Sequence, residues 1–269
     1  MSDKKIFYIL SLGHSGSTLM EYYLSCYPRS LGIGEAYKAV RTFQKDHIQS
    51  LSEYDQQTIE KSDFWKEIHS RTSAFESIEE QYIDMYDYIF KSAAFEKYDT
   101  IIDSSKSLEG LKILSENFND KLNVIVVIKD LRAWLISQID NKNRKNRKIP
   151  IGHKTRSAIH WWRSNSAYLR ILKESNIPCS VVSYDLFCLD QTKMETYLKD
   201  KLNLSGQPDL QQTNSINILG NRMKKKANHG LEILYDYRWM HRNEWNLIWN
   251  CLPSVIKNFN RDKVWNFDS

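Results

Sequence analysis

A chain of 269 residues with 41% hydrophobic residues is long enough to bury a sizeable core, which excludes a mainly disordered protein. Five prolines and nine glycines are few for this length, so long helices, short connections and no linker-marked domain boundary are expected. The formal charge of +5 favours anionic partners only weakly as a total. Its cations gather in "NKNRKNRK" (141–148) and "RMKKK" (222–226), where solvated helix ends are the simplest account. Cys26, Cys179, Cys188 and Cys251 form no CxxC pair, and the histidines supply no matching ligand spacing, so no metal site is expected. The opening "MSDKKIFYILSLG" is too short in apolar residues to span a membrane and carries no cleavage site, which predicts a soluble, cytoplasmic protein without an integral membrane segment.

The first predicted element is a buried strand over Ile6–Leu12, followed by a glycine-containing turn and a helix whose Leu19, Met20, Tyr23 and Leu24 share one face. Helices are expected across the long interval near 35–98. A second strand over Thr100–Asp103 and a third over Val124–Ile128 follow, the latter leading into a helix with Leu131, Leu135 and Ile139 on one face. A fourth strand covers Ser180–Ser183, and another helix is expected near 230–250. Near-continuous apolar strands alternating with helices predict an α/β fold, a doubly wound, mainly parallel sheet flanked by helices in a single domain over 1–269. In such sheets ligands bind beyond the carboxyl ends of the strands, which selects residues 13–18, 103–106 and 129–137.

Those segments carry the chemistry. In "GHSGST", Gly13 and Gly16 allow a close turn, and Ser15, Ser17 and Thr18 stand at a helix start whose unpaired amides attract an anion. An ordinary turn capped by Ser17 or Thr18 fits the loop equally well. No lysine precedes Ser17, so this is not a GxxxxGK[ST] triphosphate loop. In "IIDSSKS" (101–107), Lys106 stands near a helix start, where the dipole disfavours a cation unless an anion is bound or the side chain points to solvent. In "VIVVIKDLRAWLISQ" (124–138), Lys129 closes a strand, Asp130 is placed to cap the helix, and Ser137 lies almost two turns on. A phosphate could bridge Lys129 and Ser137, or Ser137 could simply bond back one turn.

Taken together, these segments resemble the sulfotransferases that use 3′-phosphoadenosine 5′-phosphosulfate. "HSGST" (14–18) matches that family's 5′-phosphosulfate loop, and Lys129 with Ser137, eight residues on, matches its 3′-phosphate pair. "VVSYDLF" (181–187), "ILGNRMKKK" (218–226) and "LYDYRW" (234–239) are similar to downstream signatures, so the resemblance runs from about residue 5 to 240. Two departures stand out: His14 where Arg or Lys is common, and Lys129 where Arg is usual. A lysine brings a point charge without the two-pronged contact of a guanidinium, and Arg132 is a candidate to supplement it.

The resemblance implies a P-loop-like sulfotransferase fold and transfer of a sulfuryl group to a hydroxyl-bearing small-molecule or glycan acceptor, with 3′-phosphoadenosine 5′-phosphosulfate as co-substrate and no metal. It gives Lys106 to the bridging oxygen with His14 assisting. His14, Ser15, Gly16, Ser17 and Thr18 then hold the 5′ group, Lys129 and Ser137 the 3′-phosphate, and Arg222 with Lys224 close over it. Glu35 in "GIGEAYK" (32–38) is the leading base, ahead of His14 and His153; a simple helix-start acid is its other reading. The helical insertion near 35–98 becomes the acceptor side, and Tyr22, Tyr37, Trp65, Trp161 and Trp162 are either core or pocket aromatics. Two other classes stay open: a small-molecule kinase placing Mg²⁺ on Asp103 and Asp130, and a nucleic-acid binder using the basic runs, although no aromatics interleave them.

Overall fold

In a computed structural model, residues 4–144, 152–219, 230–242 and 249–266 are described. The chain builds one six-stranded sheet from β1 (Lys5–Ser11), β2 (Ser30–Gly34), β3 (Thr100–Asp103), β4 (Leu122–Ile128), β5 (Cys179–Ser183) and β6 (Ser215–Ile218), in the order β5-β4-β1-β3-β2-β6. β3 runs parallel to β1 and to β2, and β2 runs parallel to β6. Helices flank the sheet, so the α/β expectation holds. Val124–Ile128 are fully buried, each such side chain contributing about 1.5–3 kcal/mol on leaving water.

The chain forms two compact units. One comprises the described residues of Met1–Leu10, Thr18–Val124 and Ser205–Glu232. Here β1, β3, β2 and β6 carry α1 (Ser17–Ser25), α2 (Ala36–Gln44), α3 (Glu53–Lys61), α4 (Asp63–Ser70), α5 (Ile78–Lys91) and α6 (Leu108–Asn117). The interval from 35 to 98 is helical, as its pattern predicts. Its helices start on local signals: Ser52 and Ser62 cap α3 and α4, and Ser77 with Glu80 forms a reciprocal capping box on α5. Trp65 is fully buried and donates its indole N–H to the Ile216 carbonyl, while Tyr22 and Tyr37 are also buried.

β2 and β6 escape prediction for a physical reason. In "SLGIG" the glycines replace the β-branched residues that mark a strand. A Cβ on Gly34, whose φ is +76°, would stand 2.6 Å from the Ile218 carbonyl oxygen, so the close approach of β6 requires the glycine. The ladder shifts register between Gly32 and Gly34.

The other unit comprises the described residues of Ser11–Ser17, Ile125–Leu204 and Ile233–Ser269. It holds α7 (Leu131–Arg144), α8 (His153–Glu174), α9 (Tyr184–Leu189), α10 (Gln191–Leu202) and a late helix, Ser254–Asn260. Asp130 caps α7 as expected: Oδ1 accepts from the Arg132 amide at 2.8 Å, and the Asp130 carbonyl accepts from the Trp134 amide at 2.8 Å. Trp161, fully buried, spends its indole N–H on the Lys129 carbonyl at 3.1 Å. The helix expected near 230–250 is not there over 231–236, which lack regular structure; a single 3₁₀ turn, Tyr237–His241, follows. The aromatic and charged side chains in that stretch are spent on specific contacts, described next.

Candidate active site

The first group of functional side chains lies in the unit of β1, β2, β3 and β6. Glu35 follows the end of β2 and Lys106 follows the end of β3, so parallel pairing of those strands delivers both side chains to the same rim. Lys106 Nζ donates to Glu35 Oε1 at 2.7 Å, and Lys38 Nζ donates to Oε2 at 3.2 Å. Burial is the largest influence on the Glu35 carboxyl and pushes its pKa up, but Lys106 and Lys38 together outweigh it and hold the group below the usual carboxylate range. Lys106 has φ +60°, a left-handed conformation that costs a non-glycine residue energy. It stands ahead of α6, whose cap is Ser107, so the anion that justifies a cation there is the protein's own Glu35.

Glu21, on α1, ties this rim together. Its Oε1 accepts from the Gly34 amide at 2.7 Å and its Oε2 from Ser104 Oγ at 2.5 Å. Burial, the first influence, raises its pKa to about 7. Sequence reasoning missed Glu21, since a lone acid on a helix gives no signal until β2 and β3 are placed beside it. Thr18 is buried at the start of the same helix. Asp103, one of the two carboxylates a kinase would give to Mg²⁺, is fully buried; it accepts from Tyr82 at 2.5 Å, from Tyr86 at 2.8 Å and from the Ser105 hydroxyl. A cavity of about 500 Å³ lined by Phe64, Tyr88, Phe95, Lys61 and Lys97 reaches Leu31 and Ser215 at the starts of β2 and β6, the opposite strand ends from Glu35.

The second group lies in the unit of α7–α10. Its 11–17 loop turns through His14, at φ +72°, and Gly16, at φ +96°. The Gly13 carbonyl accepts from the Trp134 indole at 2.8 Å and from Gln138 at 3.1 Å, which pins the loop to α7. A Cβ on Gly16 would stand 2.1 Å from Tyr184 Cδ2, so only glycine lets the tyrosine ring lie on the loop. Ser15 Oγ is fully enclosed with no hydrogen-bond partner among the described residues, and Ser17 is buried beside it in sequence.

Lys129 and Ser137 are brought together, Nζ to Oγ at 3.4 Å. They meet around a carboxylate. Asp236 Oδ2 accepts from Lys129 Nζ at 2.7 Å and from Ser137 Oγ at 3.3 Å. Arg238 adds its Nη2 to the same oxygen at 2.8 Å and its Nε to Oδ1 at 2.7 Å. Burial alone would push the Asp236 pKa up; Arg238 and Lys129 reverse that and hold it far below the usual range. The Lys129 ammonium also lies 4.5 Å from the centre of the Tyr184 ring, a cation–π contact. Asp236 and Arg238 sit in the quoted "LYDYRW" and Tyr184 in "VVSYDLF", but nothing in either motif says which side chain reaches an anion.

Arg132 does not supplement Lys129. Its guanidinium is bidentate to Asp130 at 2.9 and 2.8 Å and lies over the rings of Trp239 and Trp249, at 3.8 and 4.7 Å from their centres. Asp130, the second carboxylate of the kinase reading, is fully buried and is further held by Asn260 and Trp265 at 2.9 Å each. His153, the reserve base, begins α8 and contacts Lys142 and Ser157. Arg222, Lys224 and residues 145–148 of the first basic run lie outside the described residues.

Among solved structures, the sulfotransferase domain from the Synechococcus PCC 7002 olefin synthase matches with a TM-score of 0.63 and 15% identity, covering 100% of this chain and 97% of that one. The sulfotransferase domain from the curacin biosynthetic pathway matches with a TM-score of 0.60 and 16% identity, covering 96% of each chain. The protein therefore has the fold of sulfotransferase domains, the fold that the sequence resemblance implies. No family model and no curated protein sequence matches the chain.

Proposed function

We propose that the protein is a sulfotransferase that moves a sulfuryl group from 3′-phosphoadenosine 5′-phosphosulfate to a hydroxyl of a carbohydrate or small metabolite. One observation carries the donor assignment: Lys129 and Ser137, eight residues apart, converge on a single anionic oxygen. The fold of the two neighbouring domains supports the transfer class, and the enclosed Ser15 hydroxyl, without a partner among the described residues, supports an anion at the 13–17 loop. In this reading Ser15, Gly16, Ser17 and Thr18 hold the 5′ group with His14 assisting, and Arg222 with Lys224 add charge at the 3′-phosphate. The whole chain is read as one catalytic domain with the helices of 35–98 on the acceptor side, working in the cytoplasm without a metal.

The chemistry falls to Glu35 and Lys106. The acceptor oxygen forms a bond to sulfur while the bond from sulfur to the 5′-phosphate oxygen breaks, and that oxygen keeps the electron pair. Lys106 neutralises the charge developing there, and Glu35 takes the acceptor proton. Their mutual ion pair gives the order of events a physical basis. While Lys106 stays on Glu35, the carboxylate is a weak base. When Lys106 turns to the donor, Glu35 loses its main counter-charge, burial dominates, and its basicity rises.

The test is release of adenosine 3′,5′-bisphosphate from 3′-phosphoadenosine 5′-phosphosulfate across a panel of hydroxyl acceptors, with and without a chelator. Acceptor-dependent release that survives the chelator is expected. Absence of donor binding by calorimetry would overturn the reading.

A further inference from the structure

The anion pocket of the second unit is built from two kinds of parts. Ser137 stands in the middle of α7 and Lys129 directly follows the last residue of β4. Ser137 Oγ has one hydrogen, which it gives either to the Ala133 carbonyl at 3.1 Å or to Asp236 Oδ2 at 3.3 Å, and Arg238 is held independently by Asp140 at 2.5 Å. Asp236, in contrast, is carried by the irregular stretch before the Tyr237–His241 turn. The side chains of Lys129 and Asp236 are only 5% and 11% exposed, so no bulk anion competes casually for the place. Ammonium, hydroxyl and guanidinium all aim at Asp236 Oδ2. That donor set also satisfies one oxygen of a phosphate monoester, with more charge to offer in return, about −1.5 to −2 against −1.

We propose that Asp236 is a built-in stand-in for phosphate: its carboxylate occupies the pocket of Lys129, Ser137 and Arg238, and a phosphate monoester enters only by displacing it. The identity of that monoester as the donor's 3′-phosphate rests on the function proposed above. The displaced carboxylate returns as the spent nucleotide leaves, so the buried lysine is never left without a counter-charge. Donor affinity is then the intrinsic affinity reduced by the fraction of molecules with the carboxylate out of the pocket. Tyr184 couples the parts, because its hydroxyl donates to the Leu234 carbonyl at 3.3 Å while its ring covers Gly16 and Lys129.

Asp236→Asn keeps the shape and removes the charge. Titration calorimetry should show adenosine 3′,5′-bisphosphate binding at least about 10-fold tighter to the variant than to wild type, with adenosine 5′-phosphate, which lacks the 3′ group, unchanged. Equal or weaker bisphosphate binding by folded variant overturns the stand-in while leaving the sulfotransferase reading intact. If neither protein binds either nucleotide, the donor assignment fails, and inorganic phosphate decides the rest. A thermal midpoint that phosphate raises more in Asp236→Asn than in wild type supports displacement, and equal shifts reject it. Should the variant not fold, hydrogen exchange on the wild-type chain replaces it. Phosphate or bisphosphate should speed exchange at the amides of Tyr237 and Arg242, which bond within this stretch, and unchanged exchange there rejects the proposal.

Discussion

Each unit of the molecule contains a carboxylate paired with a lysine at 2.7 Å, Glu35 with Lys106 in one and Asp236 with Lys129 in the other. The pairs are built differently. Glu35 and Lys106 both follow the ends of paired parallel strands, so the sheet itself sets their separation. Asp236 reaches its lysine from irregular chain, and one of its oxygens gathers three donors. A pair held by two strand ends can exchange a proton without moving backbone; a carboxylate on an irregular arm can be exchanged for another anion. That contrast separates the proposed transfer chemistry from the proposed donor recognition.

The largest expected effect cuts the first pair. Glu35→Gln should lower kcat by about 10²–10⁴ with bisphosphate affinity unchanged, read by initial rates beside calorimetry; a parallel loss of affinity would erase the distinction between the pairs. Lys129→Ala should do the reverse at saturating donor, weakening bisphosphate binding with little change in kcat. It should also cost about 2 kcal/mol in chemical denaturation, less than a buried pair broken outright because Arg238 still faces Asp236. Gly16→Ala forces a Cβ into the Tyr184 ring and a strained φ, for a loss of about 1–3 kcal/mol and a displaced loop. Intrinsic fluorescence followed during unfolding would measure it.

The smallest effect concerns pH. The Glu21 carboxyl titrates at about 7 in the folded chain against an ordinary 4.5, so the folded state binds its proton more tightly. Its contribution to stability is fully present below about pH 4.5 and fades as the pH rises through about 7. Glu21→Gln should flatten the stability profile between those limits, and an unchanged slope in thermal scans would remove Glu21 from the account. The matching carboxyl Glu35, held low by its lysines, contributes in the opposite sense: its share is present above the ordinary carboxylate range and is lost as the pH falls.

Much of the sheet was legible because buried parallel strands are written as short apolar runs; Thr100–Asp103 has the same bounds in sequence and structure. The rule that ligands lie beyond carboxyl strand ends selects, from sequence, the segments holding Lys106, Lys129 and Ser137. β2 was unreadable since its glycines answer to the approach of β6, whose Ile218 pairs with Gly34 from far along the chain. Asp236 and Arg238 were unreadable for a related reason. A charged residue in a polar stretch has no local property that distinguishes solvent from a buried partner about 100 residues away.

What the amino-acid order determined by itself was local: which runs are strands, which turns need glycine, where helices are capped, and which rim residues carry charge. Those follow from backbone sterics and from periodic burial within one element. Tertiary structure alone decided the counter-charges. Lys106 found Glu35 and Lys129 found Asp236 because chain entering from elsewhere was packed against them, and a cation partly or wholly withdrawn from water takes the nearest carboxylate that desolvation leaves within reach.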